Sequence, residues 1–183
     1  MNRADTFTYD FEYLLEKIRQ SNFSFQPFKH IEINGFFSED HFNSLTRTEE
    51  VKLPEFGNDR ELFDGLYKAG YQMVPFPGAI TNKDEYISRH NQSKRVTGTH
   101  SACESQGVVL RLNNPKSSLL VELKKFIESE ALNRLLAEKF ELEFENLQID
   151  AGIQKYLDDY EISPHPDLRK KALTFMVNIN PSS

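Results

Sequence analysis

The sequence predicts an α+β fold in which helices back a small sheet. Three observations carry that expectation. Apolar residues recur at helical spacing from Phe11 to Ile18 and again from Leu119 to Phe140. After Phe144 the period shortens to two: Leu147, Ile149, Ala151 and Ile153 alternate with polar residues, as on a half-buried strand. The alternation returns between Ala172 and Asn180, where Leu173, Phe175, Val177 and Ile179 line one side and Thr174, Met176, Asn178 and Asn180 the other. Helices and short strands therefore come first, and extended segments crowd toward the C-terminus.

In chain order, Phe11, Leu14, Leu15 and Ile18 form one helical face. From Phe28 to Phe37, Ile31 and Ile33 alternate with His30, Glu32 and Asn34, which predicts a strand ending at Gly35. Ser38 is an N-cap for a short helix holding Phe42 and Leu45. Asn58 or Asp59 caps a further helix with Leu62, Phe63 and Leu66, closed by Gly70. Pro75, Pro77 and Gly78 mark a loop, and the polar, basic run Arg89 to Arg95 predicts another. Val108 to Leu112 reads as a strand. Ser117 or Ser118 then opens the strongest helical stretch, with Leu119, Leu120, Leu123, Phe126 and Ile127 on one face and Leu132, Leu135, Leu136 and Phe140 repeating the pattern. The run Glu128 to Glu130 reads as a solvated face, and a second short extended segment surrounds Ile162.

Composition narrows the function classes. A chain of 183 residues with 38% hydrophobic content, 15 Phe and 7 Tyr suits one globular domain. A net charge of -6 disfavours a sequence-independent nucleic-acid partner, which needs a basic surface. The single Cys103 excludes an intrachain disulfide and a CxxC zinc site. The polar start shows no secretory signal, and no apolar run is long enough to span a bilayer, so the expectation is a cytoplasmic protein without a membrane partner.

The chemistry-bearing feature is His165-Pro166-Asp167. A histidine and an aspartate two apart turn toward one point when a strand ends in a bend, and they are two of the three ligands of a facial triad. Alone, the pattern also fits a loop in which Asp167 pairs with Arg169. Its surroundings are more specific: Ile153-Gln154-Lys155-Tyr156, then Tyr160 through Asp167, then Lys171 through Pro181, reading as strand, turn, strand. This run resembles the 2-oxoglutarate/Fe(II)-dependent dioxygenases of the prolyl 4-hydroxylase-like branch. Pro27 to Phe37 is similar to the strand that precedes the helical support in that family.

The resemblance implies a double-stranded β-helix, or jelly roll, of which this chain carries the helical support and the first strands. It divides a single domain, 1–183, into an N-terminal strand and helical support over 1–146 and the first core strands with their His-x-Asp over 147–183. It implies His165 and Asp167 as iron ligands, Fe(II) and 2-oxoglutarate as cofactor and co-substrate, ascorbate as a reductant, and a small-molecule or protein substrate. Tyr156 then faces the cofactor pocket; read without the resemblance, it is equally a core aromatic. Thr174, Met176 and Asn178 face the barrel interior if Leu173, Phe175 and Val177 pack outward on the helices. Asn178 stands where relatives commonly place a tyrosine that binds the far carboxylate of 2-oxoglutarate, a departure from the family pattern.

The family also uses a distal histidine and a basic residue downstream of the His-x-Asp. His30, His41, His90 and His100 all lie upstream, and about three of the eight jelly-roll strands are accounted for. The expectation is a truncated, inactive form of an oxygenase. The alternative is a non-catalytic interaction module, or a split-protein half completed by a partner, with self-association through the open sheet edge.

Overall fold

The computed structural model describes residues 10–75, 79–90, 105–157, 160–162 and 171–180. In chain order the described elements are α1 (Tyr13–Gln20), α2 (Glu39–Thr46), α3 (Asp59–Ala69), β1 (Gln72–Met73), α4 (Lys83–His90), β2 (Ser105–Gln106), β3 (Val109–Leu112), α5 (Ser118–Ile127), α6 (Glu130–Phe140), a 3-10 turn Phe144–Asn146, β4 (Ile153–Tyr156) and β5 (Glu161–Ile162). The fold is α+β, as expected. No described helix is long and apolar enough to cross a membrane.

The chain divides into two compact units that interleave in sequence. One lies within Met1–Lys52, Lys116–Ala151 and Ala172–Ser183, the other within Leu53–Pro115 and Gly152–Lys171.

The first unit is helical. The α1 stripe buries Leu14 and Ile18, and Ile18 packs with Leu132 and Leu136 of α6. Ser38 caps α2 by accepting a hydrogen bond from the His41 N–H at 3.3 Å. The stretch predicted as one repeated helical pattern is two helices. Ser129 breaks it, its hydroxyl accepting from Leu132 N–H at 3.3 Å while the Asn133 amide donates to Ile127 O at 2.8 Å. A side-chain oxygen ahead of orphan N–H groups starts a helix as effectively inside an apolar pattern as before it.

The predicted strand from Phe28 to Phe37 is not a strand. A single bridge joins Ser24 to His30, and the chain then turns at Gly35, whose φ is +61°. The Lys17 ammonium donates to the carbonyls of Gly35 and Phe36, at 2.5 and 2.9 Å, and so takes acceptors that a strand neighbour would use. Ile33 and Phe36 still point inward, against the Ile18 cluster, so the apolar alternation was a packing signal without a ladder.

The second unit holds the sheet. Its three strands run in the order β1-β3-β4, both pairs antiparallel, with Gln72, Arg111 and Gln154 in one cross-strand row and Met73, Leu110 and Lys155 in the next. Phe63 and Leu66 of α3 and Tyr86 of α4 pack with Val108, Leu110 and Leu112, all buried. Each such side chain contributes about 1.5–3 kcal/mol on leaving water. Asn58 caps α3 by accepting from Glu61 N–H at 3.0 Å, and Gly70, at φ +100°, ends it in the left-handed conformation glycine tolerates. α4, with its short apolar stripe, is not announced by the sequence, and it takes in Arg89 and His90, the start of the run expected as a loop; Asn82 starts it by accepting from the N–H groups of Asp84 and Glu85.

The alternation predicted over 147–153 begins its ladder only at Ile153, and Ile149 is 44% exposed. The extended segment expected around Ile162 is β5, antiparallel to β2.

Candidate functional site

Among the described residues β4 lies at the edge of the three-stranded sheet, and its two faces differ. Ile153 joins the apolar cluster with Leu110 and Leu112, which places Gln154 and Tyr156 on the other side. Tyr156 is 48% exposed, which excludes the core-aromatic reading. Its hydroxyl donates to Gln154 Oε1 at 2.6 Å, and its ring lies 4.6 Å from that of Tyr160. Arg111 shares this face. A Cβ on Gly152 would fall 2.2 Å from Arg111 Nε, so the guanidinium is seated against glycine backbone. The side chain predicted to face a cofactor thus stands opposite the buried Val109, on the face that carries Gln72, Arg111 and Gln154 in register across three strands.

Thr174 and Asn178 belong to the helical unit. Residues 173–180, expected as a strand, carry no assigned strand among the described residues, although their burial alternates as the sequence predicted. Leu173 and Phe175 pack on the Ile18, Leu132 and Leu136 cluster, and the Phe175 ring meets Phe36 edge-on at 5.8 Å. Thr174, Met176 and Asn178 face away from the helices; Met176 is 80% exposed. Asn178 Oδ1 accepts from the Asn180 N–H at 2.9 Å, a local turn contact.

His165 and Asp167 lie outside the described residues, as do Cys103 and His100. The two histidines described with their side chains are engaged elsewhere. His30 Nδ1–H donates to Phe28 O at 2.8 Å, and His41 Nδ1 is 3.1 Å from the Tyr13 hydroxyl, which accepts from Ser38 N–H. Among the described residues no group of three or more His, Cys, Asp or Glu is arranged to hold a metal. Imidazole and carboxylate are the donor types that suit Fe(II), and they account for two of the three protein positions of a facial triad.

Comparison with protein families, characterised proteins and solved structures finds no match to this chain.

Two polar side chains that no sequence pattern marks are held in specific environments. Glu50 is 5% exposed, and its carboxylate accepts from the N–H groups of Lys116 and Ser117, at 2.7 and 2.8 Å, and from the Ser117 hydroxyl. Burial alone would raise this carboxyl; the hydrogen bonds outweigh it and hold the group below its ordinary value. Lys155 occupies the core-facing row of β4. No sequence signal marked Glu50, because its partners are 66 and 67 positions away.

Proposed function

We propose that this chain contributes the helical support and first core strands of an Fe(II)- and 2-oxoglutarate-dependent oxygenase, a hydroxylase of the prolyl 4-hydroxylase-like kind. The observation that carries the reading is the order of features around His165-Pro166-Asp167. Before it runs a strand, Ile153–Tyr156, with its tyrosine turned away from the core. After it runs an extended segment with Leu173 and Phe175 on the helices and Thr174 and Asn178 outward.

In this reading His165 and Asp167 hold Fe(II), and the bound metal with 2-oxoglutarate supplies the oxidising chemistry. The chain's own residues orient and shield. Tyr156, its hydroxyl fixed on Gln154, presents a phenol to the cofactor side, and Thr174 and Asn178 offer short polar groups on the following segment. These 183 residues bring two protein ligands, so metal binding is expected to be weak and turnover absent.

The test is a titration with Fe(II) under anaerobic conditions, with and without 2-oxoglutarate. The proposal expects weak binding that 2-oxoglutarate tightens and that His165→Ala and Asp167→Ala each remove. It also expects no succinate when Fe(II), ascorbate, O₂ and 2-oxoglutarate are supplied together. Binding unchanged in both variants contradicts it; succinate formation shows that a third ligand lies within the chain.

A second reading, an interaction module or split half completed by a partner, is favoured by the 80% exposure of Met176 on the extended segment. Its consequence is association between copies.

A further inference from the structure

We propose that Asn34 is a self-modification site: its side-chain amide is displaced by the Gly35 peptide nitrogen, water opens the resulting cyclic imide, and the isoaspartyl product loosens the turn that Lys17 holds. The inference is independent of the metal reading and rests on how this turn is built. Asn34-Gly35 is the one Asn-Gly pair in the sequence. Both residues are exposed in the turn that follows Ile33, and Gly35 sits at φ +61°. A Cβ at Gly35 would meet nothing within 4 Å, so the space beside the attacking nitrogen is open. Among the described residues neither the Asn34 side chain nor the Gly35 N–H has a hydrogen-bond partner. Other asparagines are held: Asn58 Oδ1 accepts from the Glu61 N–H at 3.0 Å, and the amides of Asn133 and Asn146 donate to Ile127 O and Glu143 Oε2 at 2.8 and 2.7 Å. The exposed Asn22 and Asn113 precede Phe23 and Asn114, whose Cβ atoms crowd the nitrogen as glycine does not.

The nucleophile and the side-chain carbonyl belong to neighbouring residues, so the attack is intramolecular. As the Gly35 N–H ionises, its nitrogen bonds to Asn34 Cγ. The bond from Cγ to the side-chain nitrogen breaks, and that nitrogen leaves as ammonia with the proton the peptide gave up. Water then adds to one carbonyl of the imide and cleaves its C–N bond. Cleavage at Cγ leaves an ordinary aspartate; cleavage at the main-chain carbonyl leaves an isoaspartyl link running through Cβ and Cγ. No oxidant or reductant is consumed. The isoaspartyl link lengthens the main chain by one methylene between two anchors. Ile33 and Phe36 both pack on the cluster of Ile18, Leu132 and Leu136, and the Lys17 ammonium holds the Gly35 and Phe36 carbonyls. A packed cluster takes up extra length only by shifting, so the Lys17 contacts or the Phe36 seat must yield.

The experiment incubates the folded chain at neutral and at mildly alkaline pH and maps deamidation by peptide mass spectrometry, with fragmentation that separates aspartyl from isoaspartyl links. Asn34 should deamidate several-fold faster than Asn22 and Asn113, faster at the higher pH, with the isoaspartyl form among the products. An Asn34 rate no greater than those of Asn22 and Asn113 in the folded chain overturns the proposal. So does an Asn34 that reacts in urea and stays intact in the folded chain, which would mean that the turn protects it. The purified isoaspartyl chain should unfold at a lower urea midpoint than Asn34→Asp, which adds the same charge without lengthening the chain; equal midpoints overturn the loosening of the turn.

Discussion

Glu50 shows how one side chain fixes a helix start. The first N–H groups of a helix lack intrahelical partners, and α5 begins with no side-chain cap from its own Ser117. Glu50 supplies the acceptor, taking the Lys116 and Ser117 N–H groups and the Ser117 hydroxyl together. Because this carboxyl is lowered in the folded chain, its stabilisation is present above the ordinary carboxylate value of 4.5 and is lost as pH falls through the folded value. Glu50→Gln should cost about 1–3 kcal/mol at neutral pH. It should also flatten the loss of stability on acidification, as read from urea midpoints measured across that range. Gly65 offers a second residue-level test. Alanine normally improves a helix interior by about 1 kcal/mol over glycine. Here its Cβ would fall 2.2 Å from Phe56 Cζ, so the ring must move. Gly65→Ala should destabilise by about 1 kcal/mol, whereas in a Phe56→Ala background the same change should stabilise; denaturant melts of the four chains decide it.

Among the elements, those announced by period and cap together were legible in the sequence. Asn58 and Gly70 bracket α3, Ser38 opens α2, and the apolar run over Val108 to Leu112 became β3. The failures have local causes. Lys17 takes the Gly35 and Phe36 carbonyls where the chain turns, no ladder is assigned to Ile31 or Ile33 among the described residues, and Ser129 splits a stretch whose apolar spacing runs on. The segment 173–180 kept its predicted faces while lacking an assigned strand partner among the described residues. An extended segment with an exposed methionine on its outer side invites pairing with another chain. Light scattering across a concentration series should therefore show association, reduced by Met176→Lys. A monomer at every concentration, with slow amide exchange from Leu173 to Ile179, would mean that the chain already covers this edge.

At the scale of the whole molecule, the candidate site was legible as an ordered series of residues and not as a constellation. His165 and Asp167 are candidates through the resemblance of their surroundings, and the structure adds that Tyr156 stands on the same side of its sheet as Gln154 and Arg111. Which strand carries that tyrosine followed from the sequence. That β4 would pair with β3, and so share a unit with Leu53–Pro115, did not, because register depends on partners distant in the chain. The central claim is that one imidazole and one carboxylate share a metal. A crystal structure of the chain grown with Mn(II), an oxidation-stable stand-in for Fe(II), measures it most directly. The account predicts one metal bound by His165 and Asp167 together, at about 2.0–2.2 Å from a ring nitrogen and a carboxylate oxygen; His165 and Asp167 directed to opposite sides of the chain, with Mn(II) elsewhere, would contradict it.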